Sequence, residues 1–116
     1  MSNSEDQSQC ARLIDIYSGI LEIVNSEHGK TWSRGIEESI KLLKIANDSE
    51  GEFKRERLKD VFSIYNTMNA GSGSFSDFHI WRDNYEERVK ANKPLEELRD
   101  KLWAEISSLG NSVRTG

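Results

Sequence analysis

The sequence predicts an all-α fold, a compact bundle of four to five helices with one glycine-rich aromatic loop. Two observations carry this. Apolar residues recur every three or four positions through most of the chain, the spacing of one helix face. No β-branched run alternates with the two-residue period of a strand. The composition adds a constraint: 35% hydrophobic against 31% charged residues. The core must be lean, and the ten aromatics must supply much of it. Its apolar residues are clustered and periodic, which separates this chain from a disordered one.

A length of 116 residues fits one domain. Residues 1–9 read as a disordered polar tail, 10–110 as a single helical domain and 111–116 as a loose C-terminal tail. The first helix is expected from about Asp6 to Asn25, on the spacing of Leu13, Ile16, Tyr17, Ile20 and Val24. Its apolar arc is wide, so it should be the most buried helix. Gly19 inside it costs on the order of 1 kcal/mol against alanine and suggests close approach of another helix. Ser26 to Gly29 is a break. The second helix is expected from about Thr31 to Ala46, with Trp32, Ile36, Ile40 and Leu43 in one stripe. The segment Asn47–Gly51 is a turn by composition. The third helix is expected from about Glu52 to Asn66, with Phe53 anchoring its first turn and Leu58, Val61, Phe62 and Tyr65 on one face.

Ala70-Gly71-Ser72-Gly73 interrupts this regularity, because glycine permits positive φ. Ser74 and Asp77 resemble a capping box. Two readings of the next stretch stay open. A helix restarting at Phe75 would align Phe75, Phe78, Trp81 or Arg82, Tyr85 and Val89; alternatively Phe78 to Trp81 is extended. Asn92-Lys93-Pro94 reads as a boundary, since proline disfavours helix at the residue before it and suits a first turn. The last helix is then expected from Pro94 to Leu109, along a seam of Leu95, Leu98, Leu102, Ile106 and Leu109. Trp103 would widen that seam, and Gly110 would end the helix.

Composition also excludes function classes. Cys10 is the single cysteine, so neither an internal disulfide nor a thiolate metal cage is available. It reads as a half-buried small apolar residue at the start of a helix, in a reducing compartment. No signal segment and no apolar run of membrane length is present, and the expected location is cytoplasmic with no membrane contact. The net charge is −4, with bases and acids interleaved, which disfavours nucleic acid. An acidic protein of this size suits a basic protein partner.

Candidate chemical groupings are weak. Gly71-Ser72-Gly73-Ser74 lacks the lysine of a phosphate-binding loop. His28 and His79 have neither the spacing nor the companions of a metal site. Ser74, Asp77 and His79 lie in one short run, whereas a hydrolytic triad converges from separate elements. No catalytic, cofactor-binding or metal-binding residue is assigned. Asp77 reads instead as a lock on the glycine turn, accepting backbone N–H bonds.

Trp32 opening a helix, followed by Gly71, Gly73, Ser74, Phe75 and Asp77 after a later one, resembles a small bacterial all-helical family. Its mark is a Gly-x-Gly-Ser-Phe/Leu-Asn-Asp turn, and this chain carries Ser76 in place of the asparagine. Members resemble immunity proteins of polymorphic toxin and contact-dependent growth inhibition systems. The resemblance implies a protein that binds a cognate toxin, often a nuclease, and occludes its active site, with no catalytic residues of its own.

The expectation is therefore a non-enzymatic immunity protein, monomeric or weakly dimeric, that binds a basic protein toxin. Gly71, Gly73, Ser74, Phe75 and Asp77 would form the structural loop. Trp81, Asp83, Tyr85, Glu86, Glu96, Glu97 and Asp100 would form the partner face. The alternative is a non-catalytic helical scaffold or regulatory module that self-associates or joins a larger complex, motivated by the seam from Leu95 to Leu109. A small hydrolase around Ser74, Asp77 and His79 is the third.

Overall fold

The computed structural model describes residues 9–27, 30–69 and 78–115. It contains four helices: α1 (Gln9–Ser26), α2 (Lys30–Asn47), α3 (Gly51–Met68) and α4 (Tyr85–Thr115). No strand occurs among the described residues. The helices form a ring in which α1 packs on α2 and α4, and α3 on α2 and α4. The smallest dimension is 21 Å, two helix diameters.

The apolar periodicity predicts the core well. Leu13, Tyr17, Ile20 and Val24 of α1 meet Ile36 and Leu43 of α2, Val61 of α3, and Leu95, Leu102, Ile106 and Leu109 of α4 in one buried cluster. Gly19 does sit at a close approach: a Cβ there would lie 3.1 Å from Leu98 Cδ1 of α4. Cys10 is buried in the core, and burial raises its thiol above the ordinary value, which disfavours the reactive thiolate. Between α2 and α3, Asp48 and Ser49 donate their N–H groups to Ile45 and Ala46 carbonyls. Gly51 then starts α3 at φ +64°, where a Cβ would strain the chain.

Five expectations are corrected. Helix α4 runs unbroken through Pro94. Proline removes one helical bond, the one to the Lys90 carbonyl, and Lys90 and Pro94 are both exposed, so water can take its place. Gly110 does not end the helix, which continues to Thr115. The glycine is instead buried at the α3 contact, where a Cβ would stand 2.6 Å from the Phe62 ring. Residues 111–115 are accordingly helical and not a loose tail. Trp103 does not widen the seam but faces outward, 62% exposed. Phe53 is 54% exposed, with Arg57 5.0 Å above its ring, and does not anchor the turn in the core.

Residues 78–84 contain no helix, so of the two readings of this stretch the non-helical one holds for Phe78 to Trp81. The N-terminal tail to Ser8 and the loop residues Gly71, Gly73, Ser74, Phe75 and Asp77 lie outside the described residues.

The Tyr17 hydroxyl is one of the buried polar groups without a hydrogen-bond partner among the described residues. Tyr17 is fully buried, and its hydroxyl stands beside Ser39 yet has no partner in hydrogen-bonding geometry among the described residues. Ser39 donates its own hydroxyl to the Gly35 carbonyl at 2.9 Å. Burial drives the Tyr17 phenol far above its ordinary pKa, so it stays neutral. An unpaired buried hydroxyl costs about 1–3 kcal/mol. Tyr17→Phe, which keeps the ring, should therefore be neutral or gain up to about 1 kcal/mol in urea unfolding. A loss larger than that would show the hydroxyl to be bonded in solution.

Candidate functional site

The N-terminal end of α4 carries an aromatic platform built from a helix end and the irregular segment before it. Asn84 starts the helix, accepting the Glu87 N–H on its side chain at 3.0 Å and the Arg88 N–H on its carbonyl at 2.9 Å. One turn of helix then brings Arg88 back over the preceding segment. Its guanidinium carbon lies 3.8 Å from the Trp81 ring centroid and 6.0 Å from that of Tyr85. Arg88 Nε also donates to the Arg82 carbonyl at 3.0 Å, which sets the guanidinium plane. The Trp81 indole N–H donates to Asp83 at 3.2 Å. Trp81 is thus held by its face and its edge while remaining 66% exposed, and Tyr85 beside it is 70% exposed.

The segment itself is fastened to the bundle at three points. The buried Asn92 side chain accepts the Ile80 N–H and donates to the Ile80 carbonyl, both at 2.8 Å. It donates a further bond to the Arg88 carbonyl at 2.9 Å. Arg99 donates to the Phe78 carbonyl at 2.9 Å. Arg82 grips Glu27 at the end of α1 with two bonds of 2.7 and 3.0 Å, and that carboxylate raises the guanidinium pKa. Ile80 seals the arrangement by burying its side chain in the core. A loop this heavily tied presents its aromatics with little entropy left to lose on binding.

Comparison with family models, with curated proteins and with solved structures finds no match to this chain.

The expected partner residues divide into two groups. Trp81, Asp83, Tyr85 and Glu86 come together around the platform, joined by Glu87 and Val89, all exposed. With Asn84 and Lys90, the α4 residues among these line an open depression of about 640 Å³. Glu96, Glu97 and Asp100 are exposed on the same helix but begin about 16 Å further along it. His79 is exposed, and no cluster of three metal-ligating side chains forms among the described residues. Ser74 and Asp77 lie outside those residues. No helix in the described part is long and apolar enough to cross a membrane.

Glu27, Arg88 and Arg99 carry no sequence signal, and Arg82 and Asn92 read only as a helix-face and a boundary residue. Asn92 was legible only on the premise that the helix passes Pro94. It then falls three residues before Leu95 on the buried stripe, where a lone amide implies a specific partner.

Proposed function

We propose that this chain acts by binding a protein, and specifically that it is an immunity protein that neutralises a basic toxin domain by covering its active site. The single observation that carries the binding reading is the Trp81–Tyr85 platform. Trp81 is held in solvent by Arg88 on its face and Asp83 at its indole N–H, on a segment clamped by Asn92, and Tyr85 stands exposed beside it. A core has no use for such an arrangement, whereas rigid exposed Trp and Tyr are the residues that dominate protein interfaces. Asp83, Glu86 and Glu87 around the platform would steer a basic partner and pair with its rim. The toxin reading rests on the resemblance of the loop and on size and charge.

The experiment is co-expression with a basic toxin domain, sought first among the genes beside this one. The wild-type chain should restore growth and form a 1:1 complex with the toxin. Trp81→Ala with Tyr85→Ala should weaken that complex at least 30-fold, about 2 kcal/mol, while leaving the helical content unchanged. A toxin that stays fully active beside the wild-type chain ends the immunity reading. An unweakened complex would move the contact off the platform. The seam proposed for a self-associating scaffold is buried in the chain's own core, since Leu95, Leu102, Ile106 and Leu109 are at most 1% exposed.

A further inference from the structure

The outer face of α4 carries a pattern complementary to itself when reversed. Tyr85 and Trp103 are eighteen residues apart, five full turns, so they stand on one side of the helix about 27 Å from each other. Between them Val89, Lys90, Lys93, Glu96, Glu97 and Asp100 are all exposed. From Val89 to Asp100 the exposed bases precede Pro94 and the exposed acids follow it. Trp103, 62% exposed, borders a depression that Phe62, Tyr65 and Ile106 also line.

We propose that this face pairs with the same face of a second copy of the chain, α4 against α4 and antiparallel, about a two-fold axis beside Pro94. In such an interface each residue must find its complement at the reversed position and on the same flank. Two pairs meet that condition, and a third, about 60° apart around the helix, straddles the centre. Tyr85 meets Trp103 of the second copy along one flank, Lys90 meets Glu97 along the other, and Lys93 meets Glu96 near the centre. Each pair occurs twice, and the midpoint of each falls within half a residue of Pro94. The occupant follows from the charges. A parallel copy would set base on base and acid on acid. A uniformly basic partner would meet Lys90 and Lys93 with like charge. An antiparallel copy carries the signs in the reversed order that these charges call for. One helix pair with mostly polar contacts is a small interface, which places the dimer in the micromolar range and makes it salt-sensitive. The inference goes beyond the toxin-binding reading and does not rest on it.

Sedimentation equilibrium of the full chain tests it without any other partner. The expected result is a monomer–dimer equilibrium in the micromolar range, several-fold weaker at roughly 500 mM salt than at roughly 50 mM. Glu97→Lys sets lysine against Lys90 at two places and should weaken the dimer about tenfold. Adding Lys90→Glu should restore it. These two positions are seven residues, about 10 Å, apart along one helix, beyond the three- and four-residue neighbours, so rescue reports a contact between chains. Trp103→Ala should also weaken the dimer about tenfold. All three side chains are exposed, and an unchanged helical spectrum confirms that each variant folds. A monomer at every concentration, indifference to Glu97→Lys, or a double variant as weak as the single one would overturn the proposal.

Discussion

Asn92→Ala is expected to destabilise the protein by about 2–4 kcal/mol, a large fraction of what a domain this size has. The side chain amide does for Ile80 what a neighbouring strand would do, taking its N–H and supplying its carbonyl, both at 2.8 Å. Ile80 is only 3% exposed, so water cannot replace either bond without opening the core. Truncation leaves two buried backbone groups unpaired, and it is the orphaned groups that make the loss large. Asn92→Asp keeps the acceptor but sets a carboxylate oxygen against the Ile80 carbonyl, so it should cost as much as alanine. Urea unfolding followed by far-ultraviolet circular dichroism checks both. A cost below about 1 kcal/mol for alanine would mean that the clamp is not made in solution. The same variant should loosen the Trp81 platform, since the third Asn92 bond goes to the carbonyl of Arg88, whose side chain covers the indole.

Gly110→Ala should cost about 1–3 kcal/mol. On helix propensity alone the substitution would gain about 1 kcal/mol. It loses because the new methyl would lie 2.6 and 2.7 Å from two atoms of the Phe62 ring, which is rigid and packed against the core. Thermal unfolding reads the change, and Phe62→Leu in the Gly110→Ala background should recover part of it, because the two residues share one contact. Gly19→Ala is the internal control. Its neighbour at 3.1 Å is the tip of Leu98, a flexible side chain that can turn away, and the change should stay within about 0.5 kcal/mol of neutral. If both glycines respond alike, backbone propensity governs them and the packing argument fails.

The helical class, the first three helices to within a few residues and the core stripes were all legible in the sequence. The reason is that helix-period burial is a local property: Leu13, Tyr17, Ile20 and Val24 declare their face by spacing alone. The close approach at Gly19 followed in the same way, while Cys10, expected half-buried, is buried fully. The platform was half legible. Trp81, Asp83, Tyr85 and Glu86 stood out as exposed-type residues after a loop, but the groups that hold them did not. Arg88 matters through a fold-back of the chain, Glu27 through a contact 55 residues away and Arg99 through one 21 residues away.

What the sequence determined by itself is which segments can be helical and which side of each is apolar. The tertiary structure alone decided where α4 begins, whether it stops at Pro94 or Gly110, and which way Trp103 points. Each of these is a small local preference set against long-range packing. Pro94 forfeits one hydrogen bond on a solvent-exposed face, and the burial of Asn92 and Leu95 on either side outweighs it. Gly110 is equally suited to ending a helix and to letting one pass an aromatic ring, and only the position of Phe62 selects between them. With α4 continuous, Leu95, Leu102, Ile106 and Leu109 set the buried arc. Trp103, one residue past Leu102 and 100° around the helix, is carried out of the core and onto the surface.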